Sequence, residues 1–317
     1  MSKILITDPV FVMLHQRNAG TDWFGAKHEL VYPDAYTMEA MMPLFPDAEA
    51  FITCFDPVTA EMMDAAPALK VVAKPGAGYD NIDVEAATER GVMVCNAVGV
   101  RGPAVAEHVV FMMLYLARNA WLIGDPAWRT TSMIELRGKA LGIVGLGNIG
   151  GHLARIAEGF GMEILVHTRT PDPSRVPGVK LEFRSFRELL PAADFLALCM
   201  PLTDETRGII CTDTIDLMKP GAILINVARG EAIVTDDLLR AMEGGRLAGA
   251  GLDVTDPEPL PGDHPLRNFS NVLISPHNSS RTRETDAAAL GRTAENVLNA
   301  LEGKRPVNLV NPEAVDR

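Results

Sequence analysis

Apolar residues in this chain gather into short continuous runs rather than alternating strictly with polar ones. Residues 4–7, 50–53, 71–73 and 92–95 are such runs, built mainly from Ile, Val, Phe and Ala. A run of that length between turn residues predicts a strand buried on both faces. Residues 18–27, 60–65 and 84–90 between them carry helix-like spacing. The same alternation returns later, with strands over 141–144, 163–167, 195–200, 222–227, 250–254 and 272–275 and helices over 149–160 and 236–244. Strand and helix in alternation predict a parallel sheet with helices on both faces. Two such series predict two α/β domains. A long helical stretch, 103–120, separates them, and residues 109–116 within it are all apolar. A helix apolar on every face is buried all round, by its own domain or by a second subunit. Residues 281–301 form one more helical stretch, and from Pro306 the chain reads as a polar tail.

Composition narrows the function classes. At 317 residues with 47% hydrophobic and 22% charged residues, long disorder and fibrous structure are excluded. The net charge of −12 argues against wholesale binding of nucleic acid or an anionic membrane. A local cationic pocket for one small anion remains compatible with it. The longest apolar run, nine residues from Val109, is short of the roughly 20 that span a bilayer. No signal peptide is read at the start, so a cytoplasmic location is expected. Cys54, Cys95, Cys199 and Cys211 are widely spaced and read as buried thiols of a reducing compartment. No cluster has metal-ligand spacing, so no metal is expected.

Gly145-Leu146-Gly147-Asn148-Ile149-Gly150 matches G-x-G-x-x-G. It follows the apolar run Leu141-Gly142-Ile143-Val144 and opens a helix, which is the context dinucleotide binding requires. Gly145 allows the tight turn, Gly147 the approach of a pyrophosphate, and Gly150 close helix–strand packing. An acid at the end of the next strand would accept the ribose hydroxyls of NAD. Thr168 stands there instead, followed by Arg169. A guanidinium pairs with a 2′-phosphate, so NADP is the preferred cofactor, with Arg175 placed to assist. NAD binding beside a solvated Arg169 is the alternative. Further on, Arg229, Asp253 and His277 each follow an apolar run and lie at the edge where open α/β sheets bind ligands. Spacing alone does not bring them together. His108 and His264 read as structural, and His15, His28 and His152 have no supporting context.

The ordered motifs from Gly138 to Ser280 make the chain resemble the D-isomer-specific 2-hydroxyacid dehydrogenase family, in its glyoxylate/hydroxypyruvate reductase-like branch. They are the glycine fingerprint, Pro201-Leu202-Thr203-x-x-Thr206, Met218-Lys219-Pro220-Gly221-Ala222, Asn226-Val227-Ala228-Arg229-Gly230, Gly249-Ala250-Gly251-Leu252-Asp253-Val254, Pro257-Glu258-Pro259 and Ser275-Pro276-His277. Weaker matches cover Gly76 to Asp83 and Val105-Ala106-Glu107-His108. The resemblance implies two doubly wound parallel-sheet α/β domains. A Rossmann cofactor domain (100–285) would be inserted into a flavodoxin-like substrate domain built from 1–99 and 286–317. It also implies a homodimer, with residues 103–120 near the interface.

On matching positions, the resemblance implies that Arg229 holds the substrate carboxylate and polarises the keto oxygen. His277 would protonate that oxygen as hydride arrives, since an imidazole titrates near neutrality. Glu258 would orient the ring and raise its proton affinity. The N–H groups of Ala77 and Gly78 would receive the carboxylate. Asp253 would bond the nicotinamide carboxamide, while Asn148, Ile149, Met200, Thr206 and Ala228 would line the cofactor. Three departures bear on substrate. Residues 121–137 are shorter than the family's usual segment. Thr168 replaces the acid. Thr53-Cys54-Phe55 lacks the arginine that phosphoglycerate dehydrogenases place there, although Lys74 offers one positive charge. No regulatory domain is read after Arg317, which also disfavours phosphoglycerate. Glu258 disfavours formate dehydrogenase, whose branch pairs its histidine with Gln. The expected substrate is therefore a small D-2-hydroxyacid or 2-ketoacid such as glyoxylate or hydroxypyruvate. Alternatives are a dehydrogenase for bulkier 2-hydroxyacids, decided by the space around Thr53, Phe55 and Ala77, and a dinucleotide-sensing corepressor.

Overall fold

The structure, a computed structural model, describes residues 1–18 and 22–315. The chain folds as two compact units, Met1–Arg101 with Thr282–Arg317, and Gly102–Arg281. The first carries β1 (Ser2–Ile6), α1 (Pro9–Arg17), β2 (His28–Val31), α2 (Met38–Met41), β3 (Ala48–Ile52), α3 (Ala60–Asp64), β4 (Val71–Ala73), α4 (Val84–Glu89) and β5 (Met93–Cys95). The second carries α5 (Gly102–Ala117), β6 (Ala140–Val144), α6 (Asn148–Gly159), β7 (Glu163–His167), β8 (Leu181–Phe183), α7 (Phe186–Leu189) and β9 (Phe195–Leu198). It continues with α8 (Thr212–Ile215), β10 (Ala222–Asn226), α9 (Thr235–Glu243), β11 (Leu247–Leu252) and β12 (Val272–Ile274). Then α10 (Arg283–Leu301) returns to the first unit, where it packs on β3, β4 and β5.

Both sheets are parallel throughout. The first has the order β2-β1-β3-β4-β5 and the second β12-β11-β10-β9-β6-β7-β8. In each the order reverses direction once, which makes both units doubly wound. The continuous apolar runs become central strands: every residue of β4, β6, β9 and β10 is buried. Each sheet is covered on two sides by separate apolar clusters, as parallel sheets require.

The structure differs from the sequence reading at several points. Of the helix expected over 18–27, residues 19–21 lie outside the described part, and residues 22–27 are irregular. The helix lies earlier, at α1, because Asp8 accepts the Val10 N–H at 2.7 Å as an N-cap and Pro9 takes the first helical position. Asp8-Pro9 therefore starts a helix as well as ending a strand. β2 and β8 carry no apolar run, since each is an edge strand with a carboxylate exposed at Glu29 or Glu182. α5 leaves Phe111 51% exposed, which bears on neither of the two covers expected for it, its own domain or a second subunit. Finally, none of the four cysteines is in a disulfide; Cys54 and Cys95 are buried, Cys199 is half-buried as a residue but burial pushes its thiol up to about 12, and Cys211 is half-buried, not buried as expected. Burial pushes the Cys95 thiol up to about 12. Among the described residues no helix is long and apolar enough to cross a membrane, and no three His, Cys, Asp or Glu residues gather as a metal site.

Candidate active site

Six loops of the second unit leave the carboxyl ends of neighbouring strands in one parallel sheet, so they share one edge. In sheet order they carry His277 after β12, Asp253 and Glu258 after β11, Ala228 and Arg229 after β10, Met200 after β9, the glycine loop after β6, and Thr168 and Arg169 after β7. Five strand steps at about 4.8 Å spread this row over roughly 24 Å. The reversal of strand order falls between β9 and β6, where a crevice opens in sheets of this kind.

The glycine loop fits a dinucleotide pyrophosphate. Gly145 has φ +99°, and a side chain there would lie 2.8 Å from the Met200 backbone nitrogen. Gly150 packs so closely that a Cβ would sit 2.1 Å from the Gly145 carbonyl oxygen. Gly147 by contrast borders open space, and no side chain caps α6. The first N–H groups of α6, at Asn148 and Ile149, thus lack intrahelical acceptors and sit at the positive helix end, where an anion is stabilised. Gly145 N–H donates to the His167 carbonyl at 2.8 Å, joining the loop to the end of β7. There Thr168 is half-buried and Arg169 exposed. Arg175 reaches back to the Leu146 carbonyl at 3.3 Å, which puts a second guanidinium beside the loop. The Thr206 hydroxyl donates to the Pro201 carbonyl at 2.9 Å and accepts the Thr203 N–H at 2.7 Å, so it shapes the 201–206 turn.

The other half of the row holds the proton-transfer groups. His277 Nδ1 lies 2.6 Å from Glu258 Oε1, both side chains being about two-fifths exposed. A carboxylate only accepts, so Nδ1 carries the proton of this bond. The His277 backbone adopts φ +50°, a left-handed conformation that costs a residue with a Cβ about 1–2 kcal/mol. Its N–H donates to the Asp253 carbonyl at 2.8 Å. The Asp253 carboxylate, 2% exposed, accepts the Ser275 hydroxyl at 2.6 Å and the N–H groups of Asn278 at 3.0 Å and Ser279 at 3.2 Å. Asp253 thus holds the turn that presents His277, a task its expected contact with the nicotinamide carboxamide did not include.

Asn226, fully buried, braces the neighbouring turn. Its side chain accepts the Ala228 N–H at 3.0 Å and donates to the Arg229 carbonyl at 2.8 Å. Gly230 packs against the backbone of the Glu258 loop: a Cβ would stand 2.0 Å from the Thr255 carbonyl oxygen. The Arg229 turn and the Glu258 loop are therefore seated on one another.

In the first unit the loop after β4 is held by Ala97 N–H donating to the Gly76 carbonyl at 2.8 Å and Asn96 Nδ2 to the Ala77 carbonyl at 2.7 Å. Among the described residues the N–H groups of Ala77 and Gly78 find no acceptor. Lys74 is bonded to Asn81 and lies 5.8 Å from the Phe55 ring centre. Thr53 is fully buried, its hydroxyl held by the Asp56 carbonyl at 2.7 Å, whereas Phe55 is exposed.

A family model described as D-isomer specific 2-hydroxyacid dehydrogenase, NAD binding domain, matches residues 104–279. The chain belongs to this family. The dehydrogenase is an NAD(P)-dependent oxidoreductase that moves hydride between a nicotinamide dinucleotide and a 2-hydroxyacid or its 2-ketoacid. It is 39% identical over 291 residues to the glyoxylate reductase of Aeropyrum pernix, covering 87% of each chain. It is 37% identical over 297 residues to that of Thermococcus litoralis, covering 89% of each. The solved NADPH-dependent glyoxylate/hydroxypyruvate reductase of Sinorhizobium meliloti, in complex with citrate, matches with TM-score 0.84 at 28% identity over 99% of both chains.

Two residues brace these loops beyond those the sequence marked for chemistry. His108, read as structural, has its Nε2 3.0 Å from the Ser275 hydroxyl oxygen and 4.0 Å from Asp253. Burial pushes its pKa down, with the Asp253 charge pulling the other way. Gly230 stood inside a quoted motif, but nothing in the sequence tells which loop it abuts.

Proposed function

We propose that the enzyme reduces a small 2-ketoacid such as glyoxylate or hydroxypyruvate with NADPH, using Arg229, Glu258 and His277. The observation that carries this reading is the 2.6 Å Glu258–His277 pair on a loop adjoining the one that bears Arg229. Glyoxylate reduction is the activity named for the Aeropyrum and Thermococcus relatives. The N–H groups of Asn148 and Ile149 would hold the cofactor's pyrophosphate, with Met200, Thr206 and Ala228 along its length and Asp253 toward its nicotinamide end. When bound, the reduced nicotinamide supplies the hydride. Arg229 holds the substrate carboxylate and polarises the keto oxygen. His277, positively charged through Nδ1–H and Nε2–H, gives its Nε2 proton to the oxygen as that oxygen gains negative charge. Glu258 keeps the ring oriented through its bond to Nδ1–H. The product is the 2-hydroxyacid and a neutral imidazole.

Arg169 and Arg175 support NADPH over NADH. Both lie on the segment that follows β7, and Thr168 brings no carboxylate to repel a 2′-phosphate. The four free thiols suit a reducing, cytoplasmic setting. A homodimer would cover the apolar face left open by Phe111 and Ile123. Residues 1–101 with 282–317 would serve as the substrate domain and 102–281 as the cofactor domain.

A panel of 2-ketoacids assayed with both reduced cofactors tests the reading. Higher kcat/KM with NADPH is expected, falling toward parity in Arg169→Ala. Equal or better kcat/KM with NADH defeats the cofactor assignment, and wild-type turnover by His277→Asn defeats the mechanism.

A further inference from the structure

A polar chain behind His277 reaches back into α5. Residues 249, 251 and 253 share one face of β11 and its extension, repeating about every 6.6 Å. Leu116, Met112 and His108 share one face of α5, repeating about every 6.0 Å in the opposite direction. The two faces keep step. A Cβ at Gly249 would meet Leu116 at 3.1 Å, and one at Gly251 would meet Met112 at 3.0 Å. At the third step Asp253 brings a side chain of its own, and His108 Nε2 lies 4.0 Å from its Oδ1. Ser275 sits between them, 2.6 Å from Asp253 Oδ1 and 3.0 Å from His108 Nε2. The Ser275 hydroxyl has one proton and commits it to the carboxylate. Ser275 Oγ is then an acceptor toward His108, whose proton must be on Nε2.

We propose that His108 is a positioning residue for His277: its Nε2–H fixes the Ser275 hydroxyl, Ser275 fixes Asp253, and Asp253 holds the left-handed turn that presents the catalytic ring. Asp253 does so through its carbonyl to His277 N–H and its carboxylate to the N–H groups of Asn278 and Ser279. The inference rests on the role given to His277 above. It adds that the ring's placement depends on a helix residue that acts through Ser275 and Asp253.

The test uses the full-length enzyme as His108→Phe, His108→Gln, Ser275→Ala and the double variant His108→Phe/Ser275→Ala. Each is assayed for ketoacid reduction at saturating reduced dinucleotide, with backbone amide exchange followed over residues 275–279. His108→Phe and Ser275→Ala should each lower kcat by about 10- to 100-fold, as displacement of a reacting group does. Cofactor KM should stay within about threefold, and exchange at Asn278 and Ser279 should accelerate. His108→Gln restores a donor near the Nε2 position and should recover most of kcat. The double variant should be no worse than the worse single one, because both break one chain of contacts. Unchanged kcat in His108→Phe, losses that multiply in the double variant, or a Gln variant as poor as Phe overturns the proposal. Should His108→Phe not fold, Ser275→Ala and His108→Gln carry the test. Failure of the His277 assignment is separately visible: His277→Asn would then keep its turnover, while exchange over 275–279 still responds to His108→Phe.

Discussion

Replacing Gly230 by Ala tests whether the Arg229 turn and the Glu258 loop act as one body. The new methyl would meet Thr255 O at 2.0 Å, Thr255 C at 2.1 Å and Asp256 N at 2.6 Å, all of them backbone atoms. Ordinary contact begins near 3.4 Å, so one of the two loops must retreat by 1.4 Å. No rotamer change relieves that. The loop that moves carries either Arg229 or Glu258, and the Glu258–His277 bond is only 2.6 Å long. A displacement of about 1 Å at a reacting group lowers turnover by roughly 100-fold. Overpacking of this kind also costs about 1–3 kcal/mol of stability. The assay is kcat/KM for ketoacid reduction beside a thermal melt, with Gly159→Ala as control. Gly159 lies in α6 with nothing within 4 Å of its would-be Cβ. That variant should keep full activity and be stabilised by about 0.4–1 kcal/mol. If Gly230→Ala melts like wild type and keeps kcat/KM within about threefold, well short of the loss displacement predicts, the two loops do not bear on one another as argued.

Glu258→Gln should keep a hydrogen bond to His277 Nδ1 but remove the anion, lowering kcat by about 10- to 100-fold in steady-state assays. Arg169→Asp should reverse the cofactor preference, raising KM for NADPH far more than for NADH, since a carboxylate repels the 2′-phosphate and suits the ribose hydroxyls. Asp194 links β6 to the sheet, accepting the Ala140 N–H at 2.8 Å and Lys219 Nζ at 2.9 Å. Burial pushes its pKa up, but those donors and the charges of Lys219 and Lys139 outweigh it, and the net pKa is lowered. A carboxyl depressed on folding contributes stability above its unfolded pKa of about 3.9 and loses it as pH falls through the folded value. Asp194→Asn should therefore lower Tm at pH 7, with the gap to wild type closing in melts below about pH 4.

The central strands were legible because burial on both faces writes itself as unbroken Val, Ile and Leu. The edge strands β2 and β8 were not, since a strand with one solvated side and an exposed Glu carries no such run. The helix at α1 was not legible for a different reason: Asp8-Pro9 ends a strand and also caps a helix whose first position proline favours, and the pair alone does not tell which. At the site, residue types at strand ends marked Arg229, Asp253 and His277, while Glu258 came from the family resemblance. Which of them touch depends on strand order, and sequence does not state that β10, β11 and β12 are neighbours. His108 stayed hidden because its partner Ser275 is 167 positions away. The step-for-step match of α5 with Gly249 and Gly251 becomes meaningful only once helix and strand are laid together.

The chain path of the first unit has a consequence for biogenesis. Its sheet is made before residue 101, but the helix that covers β3, β4 and β5 is α10, which leaves the ribosome only after all of residues 102–281. The same is true of Asn311, whose side chain accepts the Val94 N–H at 2.7 Å and donates to the Val92 carbonyl at 2.9 Å. Domains usually mature in the order of their synthesis. Here the nascent amino-terminal sheet has α1 but not α10 on that apolar face, while the continuous second unit is free to finish first. Apolar surface left uncovered during synthesis is the kind that promotes aggregation.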